Sequence, residues 1–571
     1  MQNTNFIVRP GKYERNIEVT LEEIKNKKIT ERIWGNDYTI WSDKPDEIVN
    51  RLGWLNSTKE TGAALDEINL VVDEIRKEGF TSAIVLGMGG SSMAPEVFSL
   101  MFGKKDGYLD LHVLDSTDPG AVIEFDKMLD PAKTLYIVST KSGSTVETFS
   151  FMKHFYNSAL KKLGEENVGK HFIAITDPGS GLIDTAEKLK FRKIFRNDPN
   201  IGGRYSALSF FGMVPAALAG VDLRKILEGA NKIITETKSK NITEDTSTYL
   251  GAVLGTLANE GVDKVTFVTP GNISYFGAWV EQLIAESTGK NGRGILPVDG
   301  ETVESPEYYS NDRLFVYIHL RNDNTDSEKI KALEQAGYPV IEIIWDDLYD
   351  LGSEYFRWEF AIPVAGWSIG IQPFDQPNVE AAKVLAKKMV KEFQEKGELP
   401  KLKPAFEGSG ITVYGDTKAN TIAESLKNFL DQFDSGKDNY IGRSYVAIQA
   451  YIKPGESTTK SLQNFRTAIQ KKYKLATTVG YGPRFLHSTG QLHKGDSGNG
   501  LFIQFISEME DDLPIPDKAG DEKSSISFGI LKNAQALGDM QALLDNKRRV
   551  IKFNLGRNVV EALEFLTIAL K

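Results

Sequence analysis

The chain contains no cysteine. Disulfides, thiolate metal sites and cysteine nucleophiles are excluded together. Zinc of the structural kind is therefore not expected. Histidine is scarce as well: among 571 residues there are six, His112, His154, His171, His319, His487 and His493, so imidazole chemistry has few candidates. No apolar run approaches the roughly 18 to 20 residues that span a bilayer. The opening "MQNTNFIVRPGKYERN" lacks the apolar stretch of a signal peptide, which leads to an expectation of a cytoplasmic protein with no membrane role. Positive charge is also in short supply, with 68 Lys and Arg against 78 Asp and Glu and a formal net charge of -10. That balance argues against broad nucleic-acid binding. A small anion held by local donors stays compatible with it.

What the chain does have is length and regular rhythm. It is too long for a single core, which stops growing near roughly 250 to 300 residues. Residues 1–75 carry charged helical patterns with Trp34, Trp41 and Trp54, and read as a helical wrap around a larger body. From Ser82 onward, short apolar runs ("SAIVLG", "LDLHVLD", "TLYIVST", "KHFIAITD") alternate with turns and helix-like segments. This alternation predicts an α/β fold with a doubly wound parallel sheet over 76–240. A second unit, 241–400, repeats the rhythm with "DKVTFVTPG", "RLFVYIHL" and "VIEIIWDD". After the break "KGELPKLKP", a third α/β unit over 401–571 offers "YVAIQAYI", "LATTVGYG", "GLFIQFI" and "RRVIKFNLG".

Two turns in the first unit stand out. In "AIVLGMGGSSMAPEVFS" a strand ends at Leu86, glycines at 87, 89 and 90 allow a sharp turn, and Ser91 and Ser92 open a helix. The spacing G-x-G-x-x-S lies close to a dinucleotide fingerprint, for which Asp115 in "LHVLD" could serve as the ribose acid. The serines favour a terminal phosphate instead. The second turn, "VSTKSGSTVET", crowds six hydroxyl side chains and Lys141 around Gly143 between a strand and a helix. Such a turn aims backbone N–H groups and the positive end of a helix dipole at one spot. Any one of Ser91, Ser142 or Thr145 could be a helix cap and nothing more. Taken together, the turns predict a phosphate cradle, because ligands of open α/β sheets bind outside the carboxyl ends of the strands.

"GMGGSSMAPE", "STKSGSTVET", "GGRYSALSFFG", "AESTGK" and "PFDQPNVEAAK" occur in the order found in the sugar isomerase domain family, which the chain resembles between about residues 84 and 390. Within it, the nearest likeness is to the glucose-6-phosphate isomerases. The stretches "RIWGNDYTIWSDKPDEIVNRLGWL" and "GYGPRFLHSTGQLHKGDSGNG" are similar to the isomerase part of enzymes that also carry a transaldolase barrel, a barrel absent here. The resemblance implies reversible conversion of glucose 6-phosphate and fructose 6-phosphate through an enediol(ate), without metal or organic cofactor. Another phosphosugar, such as mannose 6-phosphate or an amino-sugar phosphate, is the nearest alternative; a non-catalytic sugar-phosphate sensor is a third. A phosphosugar ligand and a possible homodimer complete the expectation.

The same resemblance assigns roles. Glu286 takes the place of the catalytic base. Helical spacing puts it at the end of its helix, where the dipole disfavours its charge, with Gln282 on the same face. Arg204 would stabilise the enediolate. Lys383 would assist ring opening with Gln376 nearby, although an ordinary Glu380 to Lys383 helix pair is the plainer reading. Gly89, Gly90, Ser91, Ser92, Thr140, Lys141, Ser142 and Thr145 would hold the sugar phosphate. The family's ring-opening histidine most often lies between the base and the lysine, where this chain has only His319, in a strand. "FLHSTGQ" instead favours His487, supplied by the third unit or by a neighbouring subunit. His493 competes with it, and Glu354 or Tyr355 in "GSEYFRWEF" is a further possibility.

Overall fold

A computed structural model describes residues 4–239, 244–435 and 443–570. The central strands Thr134–Ser139 and Phe172–Thr176 of the first unit are buried along their whole length. Unbroken apolar runs of this kind belong to parallel sheets covered on both faces. The five strands lie in the order Asp110–Leu114, Ser82–Gly87, Thr134–Ser139, Phe172–Thr176, Lys193–Arg196, all parallel. Numbered along the chain, that is 2-1-3-4-5. Strand order therefore reverses between Ser82–Gly87 and Thr134–Ser139, and the two hydroxyl-rich turns are the loops that leave these two strands. This is the switch point at which open sheets bind ligands.

The second sheet keeps the same order. Leu296–Val298, Lys264–Val268, Arg313–Leu320 and Val340–Trp345 form a parallel 2-1-3-4 set. Its outer edge is closed by Phe6–Arg9, antiparallel to Val340–Trp345. The N-terminal layer is thus not helical throughout. Its first element among the described residues, Phe6–Arg9, is an edge strand, hidden from a reading by helical periodicity because only four residues make it. The rest of that layer is helical and clamps the two sheets through Trp54, fully buried and stacked on Tyr205 at 5.3 Å.

In the third unit Ala476–Tyr481, Tyr445–Tyr451, Gly500–Ile506 and Arg549–Asn554 again run parallel as 2-1-3-4. Ile411–Tyr414 and Phe406–Gly408 add antiparallel strands at the edge. One face encloses the unit's own core. The other docks on the first two units: Tyr445, Ala447 and Phe502 share a cluster with Ala285 and Val298, and Phe528 stacks on Phe151. Among the described residues no helix is long and apolar enough to cross a membrane.

Candidate functional site

The first turn is shaped by close approach. Gly89 adopts a φ of 57°, and a Cβ on Gly90 would lie 1.9 Å from the carbonyl oxygen of Gly203. Glycine is thus needed for the "GGRYS" segment to sit directly on the turn, and that contact delivers Arg204. Ser139, at the end of the neighbouring strand, donates to the Ser91 carbonyl at 3.3 Å, so the two hydroxyl turns are tied together. The hydroxyls of Thr140 and Thr145 lie 3.0 Å apart. Thr145 precedes the helix Val146–Leu163 and Ser92 precedes Met93–Phe102, yet neither side chain caps its helix. The plain capping explanation thus fails for Thr145, while Ser142 accepts the Ser144 N–H at 3.3 Å within its own turn.

Not every hydroxyl or cation of the turns faces that cleft. Ser92 donates to Gly89 O and to Asp115, whose carboxylate also meets Arg484 at 3.3 Å. Asp115 is thereby turned into the fold, away from any ribose. The Lys141 ammonium is bound to Asp177 and to the Pro199 carbonyl. Ser142 and Ser144 pair on the surface at 2.9 Å.

Glu286 lies in the last turn of the helix Phe276–Thr288. Its carboxylate is held between two side chains: Arg204 Nη1 at 3.5 Å and Gln282 Nε2 at 3.2 Å. Arg204 is 3% exposed, and a buried guanidinium must have its donors met. It donates to Ser287 Oγ (2.8 Å), Gln376 Oε1 (3.0 Å), Pro373 O (2.7 Å) and Asp375 O (3.1 Å). The same loop is gripped from below by Lys290, which donates to Gln372 O at 2.8 Å and to Asp375 Oδ1 at 2.6 Å. Burial, then the charge of Arg204, pushes the Lys290 amine down to about 7.

Gln282 connects Glu286 to the third unit. Its Nε2 also donates to the His487 carbonyl at 2.8 Å, while its buried Oε1 has no partner among the described residues. His487 comes from this same chain, on the turn Arg484–His487, so no neighbouring subunit is needed to bring it here. Its Nε2 lies 3.1 Å from Glu147 Oε1. Glu147 is 4% exposed and also receives Gln535 Nε2 at 2.7 Å, with Thr117 donating to Gln535 Oε1 at 2.8 Å. Burial works against the Glu147 charge, but His487, by its charge and hydrogen bond, holds the carboxyl below the usual carboxylate range.

The other candidates lie elsewhere. His319 bonds Glu342 at 3.2 Å within the second sheet and stacks on Tyr317. His493 is a core group beside Phe502; burial and the charges of Lys494 and Arg548 depress its basicity strongly. Glu354 pairs with Arg357 at 2.9 Å, and Tyr355 packs on Trp279 with ring centroids 4.6 Å apart. Lys383 is exposed and takes the plain pairing with Glu380, at 3.0 Å, but is near enough for its charge to act on Glu147. Its helix begins at Val379. Sequence reasoning missed Glu147, Lys290 and Gln535. Glu147 stood inside a quoted motif, and a carboxylate in the first turn after a hydroxyl-rich loop was a usable signal. Gln535 meets its partner across 388 positions and had none.

No group of three or more His, Cys, Asp or Glu side chains that could hold a metal occurs among the described residues. What is assembled is a carboxylate flanked by a guanidinium, an imidazole backed by a second carboxylate, and a hydroxyl-lined cradle at a helix start. Such a set can bind an anionic group and move protons at carbon and oxygen.

Comparison with known proteins gives one family match: the model for phosphoglucose isomerase fits residues 65–304. A glucose-6-phosphate isomerase of Mycoplasmopsis pulmonis is 26% identical over 408 residues, 64% of this chain and 92% of its own. One from Rubrobacter xylanophilus is 28% identical over 364 residues, 55% of this chain and 83% of its own. Two solved structures share the fold. A hypothetical protein of Thermus thermophilus has TM-score 0.56 at 23% identity, covering 67% of this chain and 99% of that one. A glucose-6-phosphate isomerase of Chlamydia trachomatis has TM-score 0.55 at 18% identity, covering 66% and 86%.

Proposed function

We propose that the chain is an isomerase of the kind whose family model matches residues 65–304, and that it interconverts glucose 6-phosphate and fructose 6-phosphate by ring opening and proton transfer between C2 and C1. One observation carries this reading: the Glu286 carboxylate lies between Arg204 and Gln282, and Gln282 in turn spans to His487 above the first glycine turn.

The phosphate binds at the switch point, where Thr140, Thr145 and the amides that open Val146–Leu163 offer neutral donors. His487, with Glu147 behind it, gives a proton to the ring oxygen and takes one from the anomeric hydroxyl, opening the ring. Glu147 orients the imidazole, the role a buried carboxylate serves beside a histidine. Glu286 then removes the hydrogen at C2 and returns it at C1 on the same face of the planar intermediate. The guanidinium of Arg204 is fixed by its carbonyl partners before substrate arrives, so it stabilises the enediolate at little reorganisation cost. The unmet Gln282 Oε1 is an acceptor that a sugar hydroxyl satisfies. Lys383 stands at the rim, where its charge adds to that of His487 on Glu147.

The test is a coupled assay run in both directions, with mannose 6-phosphate and glucosamine 6-phosphate as competing substrates. Preferred turnover of the glucose and fructose phosphates is expected; preference for either competitor, or binding without turnover, overturns the assignment.

A further inference from the structure

The side of the third sheet that faces the sugar site carries a row of polar residues where an apolar face belongs. Gln449, Gln504 and Lys552 are register neighbours on three adjacent parallel strands, each at most 1% exposed. Above them the helix Phe528–Asp545 brings Asp539, bound by Lys494 Nζ at 2.7 Å, and the helix Gly490–Gly495 brings His493, 3.4 Å from Gln449 Nε2. Tyr451, two residues beyond Gln449 on the same strand face, completes the enclosure.

Buried polar atoms in folded proteins are almost always bonded, and each exception calls for an explanation. Here the exceptions gather in one place. Gln449 Oε1, both amide atoms of Gln504, the Tyr451 hydroxyl, His493 Nε2 and Asp539 Oδ2 are all buried without a hydrogen-bond partner among the described residues. Donors and acceptors are mixed, so a single ion of either sign would leave half of them unmet. Water, which both donates and accepts, satisfies such a set, typically with about three bonds per molecule. Burial depresses the Lys552 amine to about 7 although Asp539 acts in the opposite sense.

The enclosure also abuts the catalytic constellation. The Tyr451 ring packs edge-on against Phe485, two residues ahead of His487 on the same turn, with centroids 5.3 Å apart, and burial, then the charges of Asp539 and Glu147, raise its phenol well above its ordinary value. Asp539 and Gln535 stand one turn apart on the same helix, and Gln535 donates to Glu147. We propose that Gln449, Gln504, Lys552, Asp539, His493 and Tyr451 enclose a sealed cluster of ordered waters, and that this cluster is the far end of the hydrogen-bond network that positions the imidazole of His487. Tyr451 is the joint between the two halves: it acts on Glu147, and through Glu147 on His487, without touching substrate. The positioning role rests on the reading of His487 as the ring-opening acid; the water cluster itself does not.

Two measurements on the full chain separate these parts. A high-resolution crystal structure of the parent and of Gln504→Leu is expected to show waters bridging Gln504, Asp539 and the Tyr451 hydroxyl, lost in the variant. Side chains bonded directly to one another with no water between them overturn the cluster. For the second part, Tyr451→Phe removes one hydroxyl. It is expected to lower kcat about tenfold on the cyclic sugar with KM unchanged, short of the roughly 100-fold or more that loss of a general acid costs. An unchanged kcat, or KM rising in step with the loss, overturns the positioning role. An inactive parent enzyme refutes the function proposed above and leaves the cluster to be judged by its waters.

Discussion

At the level of single residues, the chemistry depends on which side chains share contacts, and sequence spacing reveals that only when the partners are close along the chain. Glu286 and Gln282 are four positions apart on one helix, so their pairing at 3.2 Å was legible. Lys383 and Glu380 were legible in the same way. His487 and Glu147 are separated by 340 positions, and nothing local announces their bond. For that reason sequence reading left His487, His319 and His493 in competition, while the structure places only His487 beside Gln282 and the first turn. His487→Ala is predicted to slow turnover of the cyclic sugar roughly 100-fold or more, the usual cost of a lost general acid. His319→Ala, which removes a group bonded to Glu342 in the second sheet, should leave kcat within a few-fold of the parent; the reverse order of losses in a steady-state assay contradicts this.

Secondary-structure elements were read more fully than contacts, because strands buried on both faces are continuous apolar runs and the turns after them are rich in glycine and hydroxyls. The runs named in all three units are strands in the structure. Phe6–Arg9 escaped, being four residues long, as did the antiparallel edge of the third sheet, whose short strands Phe406–Gly408 and Ile411–Tyr414 follow a linker-like segment. Gly90 shows how an element imposes a residue: its Cβ would meet the Gly203 backbone at 1.9 Å. Gly90→Ala is predicted to cost about 1 to 3 kcal/mol in urea unfolding, as overpacking does, and to reduce activity by displacing Arg204; a variant with parental stability and rate argues against the close approach. The helix that carries Glu286 also carries Glu281, whose carboxyl burial and then the neighbouring Asp299 push up to about 8. Glu281 binds its proton more tightly in the folded than in the unfolded chain, where its pKa is ~4.3. The folded state is therefore favoured at low pH and loses stability as pH rises towards about 8. Glu281→Gln, which cannot titrate, is predicted to gain thermal stability over the parent progressively from about pH 5 to pH 8. A difference in midpoint that stays constant with pH would remove this group from the account.

For the whole molecule, three parallel sheets of shared strand order each lend residues to the proposed site. The first unit supplies the hydroxyl-rich turns, Glu147 and Arg204, the second Glu286 and Gln282, and the third His487 and Gln535. The repeat of 2-1-3-4 order was partly visible as rhythm, but the docking of the third unit was not, since the surface that holds it mixes Tyr445, Phe502 and Phe528 from widely separated segments. The residues named for the proposed site all lie in this one chain. Specific activity is accordingly predicted to stay constant on dilution through any dissociation seen by analytical ultracentrifugation; activity that falls in proportion to loss of an oligomer contradicts a site complete within one chain. The most direct test of the central claim, that Glu286 carries hydrogen between adjacent carbons of a sugar held by its phosphate, is solvent hydrogen exchange at C2 of glucose 6-phosphate. It is measured by NMR in deuterated water with parent and Glu286→Gln. The account predicts deuterium entering C2 with the parent, and with the variant no exchange but undiminished binding of the sugar phosphate. Exchange at the parental rate in Glu286→Gln would contradict it.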